Sequence, residues 1–326
     1  MYICGMKGTI EIFTELGERL RTTPQSIIAA AEEQNEWFCQ IPTAIDAICS
    51  QMLSHKKLCS WLTLYPTAQH APKRIGIIMA GNIPAVGFAD LLYVIASGNI
   101  PVVKYSSKDR VLMEYIVGQL LDIESALTIE QMGSNSQIDA LIATGSDTAA
   151  LHFRTLYGEI PTLIRGSRHS IAVLTGSESS SEIDGLQRDI FTYSGLGCRN
   201  VSLVFAPKGF DLQITVPPMP QGYNNNYRHT RALMTMQGVE FKDLGGAIAI
   251  EGEAKFPRHI SCINIYRYSS LADVEAWIAE NNDRLQCVVS SVEQLPRRVD
   301  FGMAQYPGLN DYADDVDVMK FLLTLH

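Results

Sequence analysis

From Arg74 onward, short apolar runs rich in Ile, Val and Leu alternate with longer stretches of helical periodicity, and this alternation restricts the fold more than any other feature. Arg74-Ile75-Gly76-Ile77-Ile78-Met79-Ala80, Pro101-Val102-Val103-Lys104, Ala140-Leu141-Ile142-Ala143, Pro161-Thr162-Leu163-Ile164 and Ser170-Ile171-Ala172-Val173-Leu174 read as strands. Residues 85–97, 108–121 and a stretch reaching to about 156 read as the helices between them. Strands joined through helices predict a parallel sheet with right-handed crossovers, and so an α/β fold. Ligands of such sheets sit beyond the carboxyl ends of the strands. Residues 81–84, 104–107 and 144–147 are therefore expected to converge on one edge.

The pattern restarts near Glu182. Residues 183–193, 227–236 and 271–281 read as helices, and 201–205, 260–268 and 286–290 as strands. The serine patch 177–181 and Asn224-Asn225-Asn226 read as loops. Before Arg74, Ile27, Ile28 and Ala31, then Ile45, Ile48 and Met52, recur at helical steps, and Pro24 suits the first turn of a helix. The expected organisation has three parts: 1–180 a helical segment plus a first α/β domain, 181–295 a second α/β domain, and 296–326 a tail. The tail either returns to the first domain or makes an oligomer contact.

A net charge of −9 over 326 residues argues against a general nucleic-acid binder, which needs a clustered basic face. No apolar run reaches the roughly 18 residues of a membrane span, and the longest candidate is broken by Gly81-Asn82-Ile83-Pro84 and carries Asp90. Met1-Tyr2-Ile3-Cys4-Gly5-Met6-Lys7-Gly8 does not read as a secretory leader. The seven cysteines are odd in number and widely spaced with no Cys-x-x-Cys, so neither zinc nor a disulfide framework is expected, and a reducing cytoplasm fits best. Asp314, Asp315 and Asp317 have no His or Cys at ligand spacing, and a solvated or capping role is expected for them rather than a metal.

Cys198 stands apart from the other cysteines. It ends the glycine-punctuated turn Ser194-Gly195-Leu196-Gly197-Cys198, beside Arg199 and just before a β-branched run. Small neighbours give access, and a cation with nearby backbone N–H groups favours thiolate, as a nucleophile requires. The competing reading is a buried cysteine that starts a strand. Thr144-Gly145-Ser146-Asp147 follows a strand and opens a helix, where free N–H groups and the Ser146 hydroxyl suit a phosphate, or where Ser146 simply caps the helix. Lys104 closes a strand before Ser106 and Ser107, as a ribose or 2′-phosphate ligand or as a solvated lysine. Gly81-Asn82-Ile83-Pro84 brings backbone toward a ligand or is only a strand-to-helix turn. Arg165, Arg168, His169 and Arg199 are candidates for contact with phosphate or thiolate, with solvation expected for at least two of them; His169 is also a candidate acid or base.

Taken together, the segments from residue 74 to the C-terminus resemble the aldehyde dehydrogenase superfamily, and more closely its LuxC-type acyl-CoA reductase branch. Met79-Ala80-Gly81-Asn82-Ile83-Pro84 resembles the superfamily loop that passes over the cofactor. Val103-Lys104-Tyr105-Ser106-Ser107 resembles its Lys-Pro-Ser segment, Ala143-Thr144-Gly145-Ser146 its Phe-Thr-Gly-Ser, and Gly195-Leu196-Gly197-Cys198 its Gly-Gln-x-Cys. The order and spacing of all four agree. The resemblance implies two Rossmann-like parallel-sheet domains after a helical N-terminal segment. It implies Cys198 as catalytic nucleophile, and Asn82, Ile83, Pro84, Lys104, Thr144, Gly145 and Ser146 around a nicotinamide dinucleotide, with NADPH preferred and NADH the alternative. Arg168, His169 and Arg199 are then candidate substrate or phosphate contacts. A homo-oligomer is expected.

The departures sharpen the expected reaction. Hydrolytic members carry Glu-Leu-Gly-Gly-Lys, whose Glu activates water; here the matching stretch is Ile164-Arg165-Gly166-Ser167-Arg168, with no carboxylate. Glu-x-Phe-Gly-Pro is also missing, and Glu251 and Glu253 are the nearest acids. The resemblance so read implies reduction of an acyl-CoA thioester to an aldehyde through acyl-Cys198. The alternatives are a semialdehyde or acyl-phosphate reductase of the same superfamily and a non-catalytic homologue acting as a scaffold subunit.

Overall fold

The computed structural model describes residues 6–66 and 71–325; the N-terminal stretch carrying Cys4 lies outside them. The chain divides into two units. The first takes the residues up to Asn35, then Ile41–Ser167, then those from Tyr306 onward; the second takes Glu36–Gln40 and Arg168–Gln305.

The first unit begins with helices α1 (Met6–Leu20), α2 (Gln25–Gln34), α3 (Ile41–Gln51) and α4 (His55–Leu62). There follow β1 (Arg74–Ile78), α5 (Phe88–Ala96), β2 (Ile100–Lys104), α6 (Arg110–Ile123), β3 (Glu130–Gln131), β4 (Ala140–Thr144), α7 (Asp147–Leu156) and β5 (Thr162–Arg165). The strands form one parallel sheet in the order β3-β2-β1-β4-β5. Ile75, Ile77, Val102, Val103, Leu141 and Ile142 are fully buried, which is why these strands read as continuous apolar runs rather than alternating ones. Phe13 of α1 meets Phe88 of α5 edge to face within the same core.

The second unit contains β6 (His169–Val173), α8 (Ser180–Phe191), β7 (Val201–Pro207), α9 (Gln221–Met236), β8 (Lys242–Asp243), β9 (Ile248–Glu251), β10 (Cys262–Tyr268), α10 (Leu271–Glu280), β11 (Leu285–Val289) and β12 (Arg298–Val299). Its sheet runs β12-β11-β6-β7-β10-β9-β8, parallel except for β8 against β9. A last helix, α11 (Val318–Leu323), belongs to the first unit, where Trp61 and Tyr65 both bond the Tyr312 hydroxyl.

Four expectations are corrected. The strand at 170–174, expected in the first domain, pairs with β7 and β11 of the second sheet, and the division falls after Ser167 rather than at 180. Its neighbour in sequence, β5, pairs instead with β4, so adjacency along the chain misplaced β6. The tail divides: from Tyr306 onward it groups with the first unit, as one of the two readings had it, whereas residues 296–305 group with the second. Asn224–Asn226 are helical, inside α9, because Tyr223, Tyr227, Thr230 and Met234 on that helix supply a buried or half-buried stripe. In the serine patch, Ser179 makes a capping box with Glu182, and Ser180 and Ser181 already belong to α8.

Candidate functional site

Because β2, β1 and β4 are parallel neighbours, their carboxyl ends open on one edge, with Ile78 level with Lys104 and Ala143. The segments carrying Asn82, Ile83 and Pro84, then Lys104, then Thr144, Gly145 and Ser146 leave from that edge, as the alternation predicts. Asn82 and Lys104 are exposed, Ile83, Thr144 and Gly145 half-buried, and Pro84 buried. The loop after β1 holds Ala85 at φ 53, and the Asp109 carboxylate accepts its N–H at 2.8 Å. Asp109 is buried; burial pushes its carboxyl up to about 8, and its Oδ1 has no hydrogen-bond partner. At the end of α2, Gln34 donates to Ser107 O at 2.8 Å and accepts from Val111 N at 3.0 Å, bracing the loop after β2.

Ser146 caps α7 by accepting from Ala149 N at 3.3 Å, so the capping reading holds in the structure. A hydroxyl that accepts in this way keeps its proton for donation. Gly145 N donates to Arg165 O at 3.2 Å, and Thr144 Oγ1 accepts from Arg165 Nη1 at 3.3 Å. Arg165 is buried and grips Asp90 of α5 with two bonds, of 2.7 and 2.9 Å. The donor set along this edge suits the ribose hydroxyls and phosphates of a dinucleotide: an exposed lysine, short hydroxyl side chains and the start of a helix.

The turn before Cys198 is built differently. Helix α8 ends at Phe191 and passes into a 3-10 turn, Thr192–Gly195. Tyr193, Ser194 and Gly195 have φ of 53, 59 and 69°. Glycine takes this conformation freely, but an L-residue does so at a cost of about 1–2 kcal/mol. Tyr193 and Ser194 are held there from two sides. Gln40 Oε1 accepts from Tyr193 N at 3.0 Å, and the Ser194 hydroxyl donates to Trp37 O at 2.8 Å. Asn200 Nδ2 reaches the carbonyls of Asp189, Ile190 and Thr192 at 3.2, 3.2 and 2.7 Å, and its Oδ1 accepts from Gly197 N at 2.8 Å. Ser170 of β6 donates to Cys198 O at 2.8 Å.

These bonds present Cys198 at the surface, at the amino edge of β7. Among the described cysteines it is the exposed one; Cys49, Cys262 and Cys287 are buried, and burial pushes their thiols up to about 11, 12 and 11. A cysteine that accepts no solvent and no negative charge is a poor nucleophile. Arg168 and His169 lie at the amino end of β6, on this same edge. Arg168 donates to Leu285 O at 2.9 Å, and the His169 ring stacks on Phe256 with centroids 4.2 Å apart. Arg199 is half-buried, close enough to Cys287 to act on its thiol. Of the four basic residues, Arg165 is buried and the other three are half-buried.

Glu251 pairs with Arg267, and Glu253 with Lys255. A groove of about 510 Å³ lies among Leu212, Ala249, Glu251, Ile265 and Arg267, toward the carboxyl ends of β9 and β10 and so on the sheet edge opposite Cys198. Among the described residues, no group of three or more His, Cys, Asp or Glu is placed to hold a metal ion, and no helix is long and apolar enough to cross a membrane. Sequence reasoning missed Gln40, Trp37, Ser170, Asn200 and Asp109. Asn200 carried a readable signal, an Asn next to a glycine turn, where its side chain bonds local backbone; the others act over long separations in sequence.

Neither a family model nor a curated protein sequence matches the chain. Solved structures do. Aldehyde dehydrogenase 21 from Physcomitrella patens, in complex with the reaction product succinate, matches with a TM-score of 0.67 at 11% identity, over 98% of this chain and 84% of that one. A propionaldehyde dehydrogenase from the Clostridium phytofermentans fucose utilisation bacterial microcompartment matches at 0.60 and 12%, over 88% and 78%. A Mycobacterium tuberculosis aldehyde dehydrogenase complexed with NAD+ matches at 0.63 and 14%, over 87% and 72%. The chain has the aldehyde dehydrogenase fold.

Proposed function

We propose that this protein reduces an acyl-CoA thioester to an aldehyde through an acyl-Cys198 intermediate. The observation that carries the reading is Cys198 itself: an exposed thiol on a braced, left-handed turn, in a chain whose fold is that of aldehyde dehydrogenases. The Cys198 thiolate attacks the thioester carbonyl; a bond forms from Cys198 Sγ to the acyl carbon, and the bond to the coenzyme A sulfur breaks. The oxyanion between these two events is assigned to backbone N–H groups of the turn, that of Cys198 among them. The chemistry a bound reduced nicotinamide would supply is hydride donation to the acyl carbon; the bond from that carbon to Cys198 Sγ then breaks, the Cys198 thiolate is restored and the aldehyde leaves. Lys104, Thr144, Gly145 and Ser146 are the residues proposed to hold it, with Asn82, Ile83 and Pro84 alongside. The exposed Lys104 ammonium favours NADPH over NADH, since it suits a 2′-phosphate. Where hydrolytic relatives carry a glutamate, the stretch 164–168 holds no carboxylate, so exchange with a thiol is favoured over hydrolysis. An exposed catalytic thiol fits a reducing compartment, in keeping with the expected cytoplasmic location.

The test is intact-mass measurement after mixing the protein with acyl-CoAs of several chain lengths and no dinucleotide. A gain of one acyl mass, lost in Cys198→Ala, is the expected result. No adduct at any chain length overturns the acyl-enzyme and favours the scaffold reading. NADPH at 100 times its dissociation constant should add about 2.7 kcal/mol to stability.

A further inference from the structure

Five residues of the N-terminal region, Glu36–Gln40, group with the second unit although α2 and α3 on either side of them belong to the first. They are anchored firmly. Gly222 N donates to Glu36 O at 3.1 Å. The Trp37 ring lies so close over Gly222 that a Cβ there would meet ring atoms at 2.7 and 2.8 Å, so only glycine admits it. Trp37 also packs against the core containing Phe191 and Tyr223. From this anchored strap come the Gln40 bond to Tyr193 N and the Trp37 carbonyl that receives the Ser194 hydroxyl. Gln40 itself sits at φ 64. Backbone held in such sparsely populated regions persists only where its surroundings over-determine it. Here the strap supplies a side-chain acceptor and a carbonyl to the two strained L-residues.

We infer that Gln40 is a positioning residue for Cys198: by accepting the Tyr193 N–H it fixes the turn from which the sulfur emerges. The inference rests on the acyl-enzyme reading for its effect on rate, but its structural content stands on the strap alone. The Gln40 carboxamide holds the start of the turn, Asn200 holds its end, and the intervening residues set the direction of the Cys198 side chain. A misplacement of the order of 1 Å at a reacting atom costs up to about a hundredfold in rate.

Two measurements test it together. Gln40→Ala should lower the rate of Cys198 acylation at saturating acyl-CoA about tenfold, with the half-saturating concentration changed less than about threefold. Gln40→Glu keeps an acceptor oxygen and should recover most of the loss, which a general packing defect would not. Hydrogen exchange across 191–200 should quicken about tenfold in Gln40→Ala while the rest of the second unit is unchanged. Wild-type exchange across 191–200 in folded Gln40→Ala overturns the inference, whatever the acylation result. If the wild-type protein is not acylated at all, the acyl-enzyme reading fails and the exchange measurement alone decides the strap. Ser194→Ala, which removes the bond to Trp37 O, is the second variant should Gln40→Ala fail to fold, with the same exchange result expected.

Discussion

Along the carboxyl edge of the first sheet, Ser146 caps α7, Gln34 ties the loop before α6 from across the sequence, and one left-handed residue, Ala85, is tied by the Asp109 carboxylate. At the amino edge of the second sheet, the Cys198 turn holds two L-residues and a glycine left-handed in succession, braced from two distant parts of the chain: the Gln40 side chain and Trp37 carbonyl of one strap, and the Ser170 hydroxyl of β6. The first region presents an exposed lysine and short hydroxyl side chains at the ends of its strands. The second fixes one atom in one place, which is what covalent attack requires. Both edges draw on long-range bonds; what sets the Cys198 turn apart is a run of three left-handed residues, which needs braces from the strap and from β6 to hold it.

The comparison is most severely tested at the buried ion pair of the first edge, Asp90–Arg165. Asp90→Ala leaves a buried guanidinium unpaired and should cost about 3–5 kcal/mol, read by hydrogen exchange of β1 and β4 peptides. Asp90→Leu with Arg165→Met should recover most of that. A loss under about 1 kcal/mol in Asp90→Ala would show that the pair is not buried in solution.

A more gradual effect separates the units by pH. Burial raises the Asp109 carboxyl to about 8 in the first unit and the Asp189 carboxyl to about 7 in the second, against about 3.9 in an unfolded chain. Between these values the folded state keeps a proton that the unfolded state has released. The stabilisation is therefore complete below about pH 4 and is lost as pH rises, by at most about 1.4 kcal/mol per pH unit. The loss should level off near pH 7 for the second unit and near pH 8 for the first. Asp109→Asn should flatten the pH dependence of the first unit only, and Asp189→Asn that of the second only; hydrogen exchange at pH 5, 7 and 8 reads both. If the two variants give the same profile, the regions are not independent.

Smallest is the cap. Ser146→Ala should cost about 1 kcal/mol, seen as a lower melting temperature. No change would free Ser146 from its capping role.

The first sheet was legible because Ile75, Ile77, Val102, Val103, Leu141 and Ile142 are buried on both faces and announce themselves as apolar runs. The three loops of its edge followed from parallel topology alone. Strand β6 was legible as a strand but not as a member of the second sheet, since nothing in His169–Val173 encodes its partners. The exposure of Cys198 was inferred from its glycines. The strain behind it was not, because Tyr193 and Ser194 carry no signal for left-handed backbone and their braces, Gln40 and Trp37, lie more than a hundred and fifty residues away. The Asp90–Arg165 pair was hidden for the same reason, across 75 residues.

The Tyr312 hydroxyl, bonded by Tyr65 at 2.6 Å and Trp61 at 3.0 Å, has a consequence for how the chain is made. A ribosome delivers α4 early and Tyr312 almost last, with the whole of Arg168–Gln305 emerging between them. At the usual pace of translation that interval is on the order of ten seconds. During it the Trp61 indole on α4 and the Tyr65 phenol just after it wait without their partner, while the second unit, whose main segment is continuous, already has the strands of its sheet. Nascent chains arrested before Tyr312 should therefore expose the first unit, and not the second, to chaperones and proteases.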